Sequence, residues 1–120
     1  MSNRRAGALR ERLSFQMRPP GDDGWGNEIP GTGDFETQFT ISAALKPRVG
    51  SESVDAARLQ GRQPYVCTVR YSKAMSKVTT AWQIVDARDA SRVLAVVSPF
   101  ADPDGRNQWL EALVMDGAPS

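Results

Sequence analysis

Hydrophobic and polar residues alternate most clearly between positions 64 and 71. On an extended chain, one face of this segment carries Tyr65, Cys67, Val69 and Tyr71, and the other carries Val66, Thr68 and Arg70. A period of two residues is typical of a strand with one buried face. The pattern therefore predicts a central strand in which the Tyr65 to Tyr71 face is buried and Cys67 is an ordinary core residue.

Five other segments show a similar pattern and predict short strands at residues 11–18, 35–47, 78–86, 92–98 and 107–115. In these strands the expected inward-facing side chains include Phe39, Ile41, Ala43 and Leu45, then Trp82 and Ile84, then Leu110, Ala112 and Val114. Ala6, Leu9 and Leu13 also have helical spacing, so we expect a short helical start before the first strand. Residues 92–98 are apolar on both faces, which favours a strand with neighbours on each side.

Turn and helix signals separate these strands. Residues 21–34 contain five glycines and several acids and predict a long loop, a length that is usually functional or disordered in a compact domain. Residues 50–61 predict one short helix, with Ser51 or Ser53 as N-cap and Gly61 as its stop. Residues 72–77 predict a polar connection with one helical turn, and residues 86–91 and 102–105 predict turns.

About six strands and one short helix, without regular alternation of strands and helices, predict a mainly β fold. We expect a small antiparallel β-barrel with long loops, because closing the sheet removes its exposed edges. The length of 120 residues predicts a single domain over residues 1–120, with flexible tails at residues 1–8 and 117–120.

Composition narrows the functional classes. The chain is 40% hydrophobic and 24% charged, and its apolar runs are far too short to span a membrane, so we expect a cytosolic product. The single cysteine excludes an intramolecular disulfide, and the lack of histidine excludes the usual catalytic triads and most zinc sites. The sequence predicts no enzyme, no cofactor and no metal site.

The net charge of +1 hides segregated blocks of charge. Residues 1–18 hold five arginines and one acid, whereas residues 19–36 hold five acids and no base. Residues 37–80 hold seven bases and two acids, and the remainder holds three bases and six acids. Segregated charge steers the docking of complementary surfaces, although it also serves solubility.

Candidate interface residues come from two of these blocks. Asp22 and Asp23 belong to the acidic loop, where Trp25 either anchors in a partner's pocket or folds back on its own domain. The basic candidates are Lys46, Arg48, Arg58 and Arg62, which bracket the predicted helix. They could contact phosphates, an acidic partner surface or only solvent.

The order of these signals resembles the head-tail joining family of tailed bacteriophages, also called head closure or stopper proteins, and their gene transfer agent relatives. The matching pieces are residues 9–17, the Asp-Gly loop at 19–24, residues 39–47, the loop and helix at 50–61, Val69-Arg70-Tyr71, the strands at 78–85 and 92–98, and Trp109-Leu110-Glu111. The chain departs from the pattern in its glycine-rich acidic loop and in having Phe35 where a tryptophan precedes the second strand.

This resemblance implies a homo-oligomeric ring, with six subunits, in the neck of a virion or virus-like particle assembled in the host cytoplasm. The ring would meet an adaptor or portal-side ring and the tail terminator or tail-tube proteins, with non-specific contact to DNA in the channel. It would help retain packaged DNA. An adaptor or tail terminator in the same neck, or a small-barrel nucleic-acid-binding module, is the alternative.

Overall fold

The computed structural model describes residues 9–31, 33–48, 51–103, 105–106 and 108–116, with the side chains of Ser53 and Ala57 excepted. The long strands are β1 (Glu11–Met17), β4 (Glu36–Pro47), β5 (Gln63–Arg70), β6 (Gln83–Asp86), β7 (Asp89–Val96) and β8 (Trp109–Asp116). Two-residue strands β2 (Gly21–Asp22) and β3 (Glu28–Ile29) form a separate hairpin, and α1 is Glu52–Leu59. None of the described helices is both long and apolar enough to cross a membrane.

The six long strands form a closed antiparallel barrel in the order β1-β4-β5-β8-β7-β6, with β6 pairing back onto β1. The predicted small antiparallel barrel is therefore confirmed. β4 runs the full height of the barrel, about 36 Å for its 12 residues. It pairs with β1 along its first part and with β5 from Ala43 onward.

Alternating side chains from all six strands fill the barrel. Leu13 and Phe15 of β1 are completely buried, and the Phe15 ring stacks on Phe39 at 5.2 Å and meets the edge of Phe100 at 5.9 Å. Leu110, Ala112 and Val114 alternate inward along β8, as predicted. The other fully buried core side chains include Cys67, Val69, Ile84 and Leu94.

Three predicted details are wrong. Tyr71 is 41% exposed because β5 ends at Arg70 and the chain turns outward. Residues 78–82 are not part of a strand, and β6 begins only at Gln83, since Met75 and Val78 instead cover one end of the barrel with buried side chains. β7 begins at Asp89, within the predicted turn.

The predicted helices are confirmed except at the chain start. Ser51 is the N-cap of α1, because its Oγ accepts a hydrogen bond from the Val54 N–H at 3.2 Å. The chain leaves the helix through Gly61, whose φ of +79° favours glycine. A 3₁₀ turn at Met75–Lys77 lies where one helical turn was predicted. Leu9 and Arg10 are not helical, and the rest of the predicted helical start and both predicted tails lie outside the described residues.

Candidate functional site

The barrel has two ends that carry different connections. We call the end where β1 stops and β4 begins the arm end, because residues 18–35, here called the arm, leave and return there. We call the opposite end, where β4 stops and β5 begins, the helix end, because it carries α1. The predicted acidic and basic interface residues lie at opposite ends and cannot form one site.

The tip of the arm is a turn held by its own carboxylates. Asp22 Oδ1 accepts a hydrogen bond from the Gly24 N–H at 2.9 Å. Asp23 Oδ1 accepts from the Trp25 N–H at 2.7 Å and the Asn27 N–H at 3.2 Å, and Asp23 Oδ2 accepts from Asn27 Nδ2 at 3.1 Å. Asp22 and Asp23, predicted as interface residues, therefore shape the turn that presents Trp25.

The charge of Asp23 is part of this turn. The hydrogen bond from the Trp25 N–H, with further bonds from Asn27, lowers the pKa of the Asp23 carboxyl below its ordinary value. Donated N–H groups favour the ionised form of a carboxylate. The turn is accordingly built around a carboxylate that stays charged at neutral pH.

Trp25 projects into solvent from this turn. Its side chain is 87% exposed, so the alternative in which Trp25 folds back on its own barrel is wrong. A tryptophan has about 150–250 Å² of surface to bury, and tryptophan is enriched among the residues that dominate binding energy at interfaces. The exposed indole is the strongest candidate contact on the arm.

The base of the arm is fixed to the barrel. Gly33 donates its N–H to the Pro19 carbonyl at 2.8 Å, and Arg18 Nη1 donates to the Gly33 carbonyl at 3.2 Å. The Arg18 guanidinium also lies 4.2 Å from the centre of the Phe35 ring. A Cβ at Gly33 would lie 2.7 Å from the Pro19 carbonyl oxygen, so this close approach requires glycine. The arm is a defined hairpin and not a loose loop at its base.

The helix end gathers the four predicted basic residues. Lys46 and Arg48 follow the end of β4, Arg58 lies in the last turn of α1, and Arg62 precedes β5. Val54 buries its side chain and anchors the helix. Within the part of the chain that the structure describes, none of these four bases forms an ion pair.

A groove on the outer barrel surface was missed by the sequence reasoning. It has a volume of about 360 Å³ and lies across β1, β4 and the end of β5. Leu9 and Tyr71 supply apolar surface, and Arg12 and Arg70 supply positive charge, whereas the Ile41 side chain packs on the core beside Leu13. None of the described residues that line the groove is an acid. These residues are scattered through the sequence, and only the strand register brings them together. Of these residues, only Arg70 was assigned to the outer face of a predicted strand, whereas Ile41 and Tyr71 were assigned to inner faces.

The two arginines of this groove are held in place. Arg12 Nη1 donates to Ser42 Oγ at 3.3 Å on the neighbouring strand. The Arg70 guanidinium lies 5.4 Å from the centre of the Trp109 ring. Stacking on an aromatic face limits the freedom of an arginine without neutralising it. The groove therefore presents two positioned cations beside apolar surface.

Metal-ligating and nucleophilic side chains were sought among the described residues. No group of three or more metal-ligating side chains occurs among them. Burial raises the pKa of the Cys67 thiol to about 12, so the sulfur remains protonated and is no nucleophile at neutral pH. Cys67 is thus confirmed as a core residue.

Comparisons with known proteins agree with this architecture. A family model described as phage head completion protein matches residues 4–117. Among solved structures, protein SF1141 from Shigella flexneri 2a is 23% identical with a TM-score of 0.63, covering 93% of this chain and 96% of that one.

A chain from the virion of a native gene transfer agent particle is 13% identical with a TM-score of 0.60, covering 92% of this chain and 96% of that one. At these identities the two structures show a shared fold. No curated protein sequence matches.

Proposed function

The chain belongs to the phage head completion protein family, and from that premise we propose that it is a ring subunit joining the portal or adaptor ring to the tail. Membership of this family supports a structural role at the junction of head and tail. A similar fold in the virion of a gene transfer agent particle supports a place in such a particle. The finer role, a ring of six subunits in the neck that helps retain packaged DNA, is our proposal.

The observation that carries this proposal is the separation of two unlike surfaces on one stiff barrel. The acidic arm with its exposed Trp25 lies at one end, and the bases around α1, which form no ion pair with the described residues, lie at the other. A subunit placed between two different rings needs two different docking surfaces, and charge complementarity lets each reject the wrong partner. We assign one end to the adaptor or portal side and the other to the tail terminator or tail-tube proteins.

The four bases at the helix end also suit contact with DNA in the channel. Lys46, Arg48 and Arg58 are exposed and Arg62 is half-buried. Positive charge without an internal partner attracts phosphates without regard to sequence. Such contact would slow the exit of packaged DNA and needs no catalysis, so we propose a non-enzymatic protein assembled in the host cytoplasm.

The test reverses charge at the helix end and counts tailed particles by electron microscopy. We expect the Arg48→Glu, Arg58→Glu, Arg62→Glu variant to leave mostly heads without tails, because a docking surface of the wrong sign repels its partner. The matched control reverses three exposed bases elsewhere, Lys73, Arg88 and Arg106, and should leave tail joining intact. If the first variant gave normal numbers of tailed particles, the proposal that the helix end is a docking surface would be wrong.

The position of the chain in the particle tests the wider proposal. Density for this fold between the portal and the tail, repeated six-fold, is the expected result. Density at the far end of the tail or outside the neck would overturn it. An adjacent ring position would instead favour an adaptor or a tail terminator.

The unpaired bases also favour a second candidate, a small-barrel nucleic-acid-binding module. Such a protein should shift DNA or RNA in a gel as an isolated chain, with affinity that falls steeply as salt rises. Against it, none of the described residues that line the apolar pocket beside Arg48 is aromatic, and Val54, Pro64 and Met115 bound this pocket. A gel shift at two salt concentrations separates the two functions.

A further inference from the structure

We propose that Trp25 of one subunit inserts into the groove between Arg12 and Arg70 of a second copy of this chain, and that repetition of this contact closes the ring. The inference rests on the proposed ring function and names the contact that builds it. It starts from two features that nothing within one copy accounts for. One is an exposed indole on a built turn, and the other is a groove with apolar surface flanked by cations.

The turn that carries Trp25 is more ordered than a solvated loop needs to be. Four hydrogen bonds to Asp22 and Asp23 hold the backbone on both sides of the indole. A preorganised anchor loses less conformational entropy on binding than a flexible one. An 87% exposed tryptophan in such a turn is typical of a side chain that is buried in a partner.

The groove matches this side chain in size and chemistry. Its volume of about 360 Å³ accommodates an indole, and Leu9 and Tyr71 offer apolar contact. Arg12 and Arg70 stand beside the apolar surface, where a guanidinium can lie against the indole face. Tyr71 is itself 41% exposed, so an incoming ring would cover apolar surface on both partners.

Charge selects a second copy of this chain as the occupant. The described residues that line the groove include two arginines and no acid. The segment that carries Trp25, residues 19–36, has five acids and no base. Asp22 and Asp23 lie just before Trp25 in the sequence and Glu28 lies just after it, so the arm carries acids on both sides of its anchor and approaches the groove with the opposite sign of charge.

The tip and the groove are different surfaces, so a one-way contact between them is head-to-tail, and such contacts generate rings when the rotation closes. The register places the groove halfway along β4, where Arg12 pairs with Ser42, and the arm leaves from the start of that strand. The anchor and the groove of one copy are therefore separate along the barrel, and each is available to a different neighbour.

Association of the full chain in solution tests the contact. We expect native mass spectrometry and sedimentation of wild type, up to about 0.5 mM, to show growing oligomers, since weak interfaces have dissociation constants in the micromolar to millimolar range. Trp25→Ala should weaken association by at least about 30-fold, as expected for an interface anchor. Leu59→Ala removes another exposed apolar side chain, 89% exposed at the helix end, and should leave association unchanged.

Complementation of two defective variants distinguishes this contact from others. Trp25→Ala keeps the groove and lacks the anchor, whereas Tyr71→Glu keeps the anchor and spoils the groove. Each should be monomeric alone, and their mixture should form a one-to-one complex that grows no further, because only one functional contact remains. Arg70→Glu serves as a second groove variant, and circular dichroism and thermal unfolding check that every variant folds as wild type does.

Several results would overturn the contact. The contact is wrong if the wild type stays monomeric at every concentration, or if the Trp25→Ala variant associates as the wild type does. It is also wrong if the mixture of Trp25→Ala and Tyr71→Glu forms no complex. Binding of a DNA duplex that Arg70→Glu abolishes, without any self-association, would assign the groove to phosphates instead. If the contact fails while particles that lack this chain still carry no tails, the proposed function stands and only the ring contact is wrong.

Discussion

Replacing Arg92 with methionine removes the one guanidinium that links four strands at the helix end of the barrel. Arg92 of β7 lies 3.4 Å from Asp86 Oδ2 on β6, 3.5 Å from Asp116 Oδ2 on β8 and 3.7 Å from Glu11 Oε2 on β1. β7 and β8 pair over only three residues, from Leu94 to Val96, so this cluster bridges the part of the seam that has no ladder. Methionine keeps the apolar stem and deletes the charge.

The structure sets the size of the effect. The carboxylates of Glu11 and Asp116 are about one-third exposed, and pairs of that kind contribute roughly 0.2–1 kcal/mol each. Asp86 is only 10% exposed at its side chain, and leaving a buried acceptor without one partner costs about 1–3 kcal/mol. Asp86 retains the Arg88 N–H at 2.9 Å, which favours the lower part of that range.

We therefore expect the free energy of unfolding to fall by about 2 kcal/mol, or the midpoint temperature by roughly 8 °C. Partial burial alone would lower the pKa of the Arg92 guanidinium, but its contacts with Tyr65, Asp116 and Glu11 outweigh burial and raise it. The Arg92 guanidinium therefore carries its charge at neutral pH. Added salt should shrink the difference between variant and wild type only in part, since Asp86 is poorly accessible to ions.

Urea unfolding followed by circular dichroism, at one protein concentration, measures the loss. Arg106→Met is the matched control, because Arg106 is exposed and makes no ion pair with the described residues. Arg92→Lys keeps the charge but loses the planar guanidinium, whose nitrogens contact several carboxylates at once. We expect its stability to lie between those of Arg92→Met and wild type. An unfolding midpoint equal to wild type for Arg92→Met, or an equal loss for Arg106→Met, would refute the reasoning.

Three further predictions concern the core and the arm. Phe15→Ala should cost about 3–5 kcal/mol in urea unfolding, since Phe15 is fully buried between two aromatic rings; a loss under about 1 kcal/mol would contradict the packing. Cys67, with a thiol pKa raised to about 12, should resist a thiol reagent at about pH 8 until the protein unfolds, and rapid labelling of the native chain would show it is accessible. Folding lowers the pKa of the Asp23 carboxyl below its ordinary value of 3.8. The ionised carboxylate therefore stabilises the turn fully at a pH above that ordinary pKa, and this stabilisation is lost as the pH falls through the lower pKa of the folded state. The Trp25 and Asn27 amide signals should move in acid, and in Asp23→Asn they should not; pH-independent signals in wild type would refute the role of the carboxylate.

Regular alternation was enough to find most of the strands. β1, β4, β5 and β8 lie within one or two residues of their predicted bounds, because each has one face in the barrel and one face in solvent. The prediction failed between Val78 and Trp82, where Val78 is buried and Trp82 is half-buried although neither joins a ladder. An alternating pattern of apolar residues does not show whether the backbone pairs with a neighbouring strand. A strand and an unpaired segment that covers the barrel end therefore have similar sequences.

The candidate interface was predicted in part. Composition identified the acidic loop and the four bases. It could not show that the carboxylates of Asp22 and Asp23 accept hydrogen bonds from the backbone of their own turn. The groove between Arg12 and Arg70 was missed, since its residues come from three separate strands. A run of charged residues in a sequence predicts an exposed surface. Which groups those charges contact depends on the residues that the fold places beside them.

The sequence by itself determined the local chemistry of this protein. A two-residue period and the glycines and prolines between strands predicted a mainly β domain with a thiol in its core, because such preferences act over a few neighbouring residues. The tertiary structure decided which strands are neighbours, and therefore the Arg92 cluster, the groove, and the placement of acids and bases at opposite ends. Those features depend on register between segments far apart in the chain, where a shift of one residue would turn every side chain to the other face.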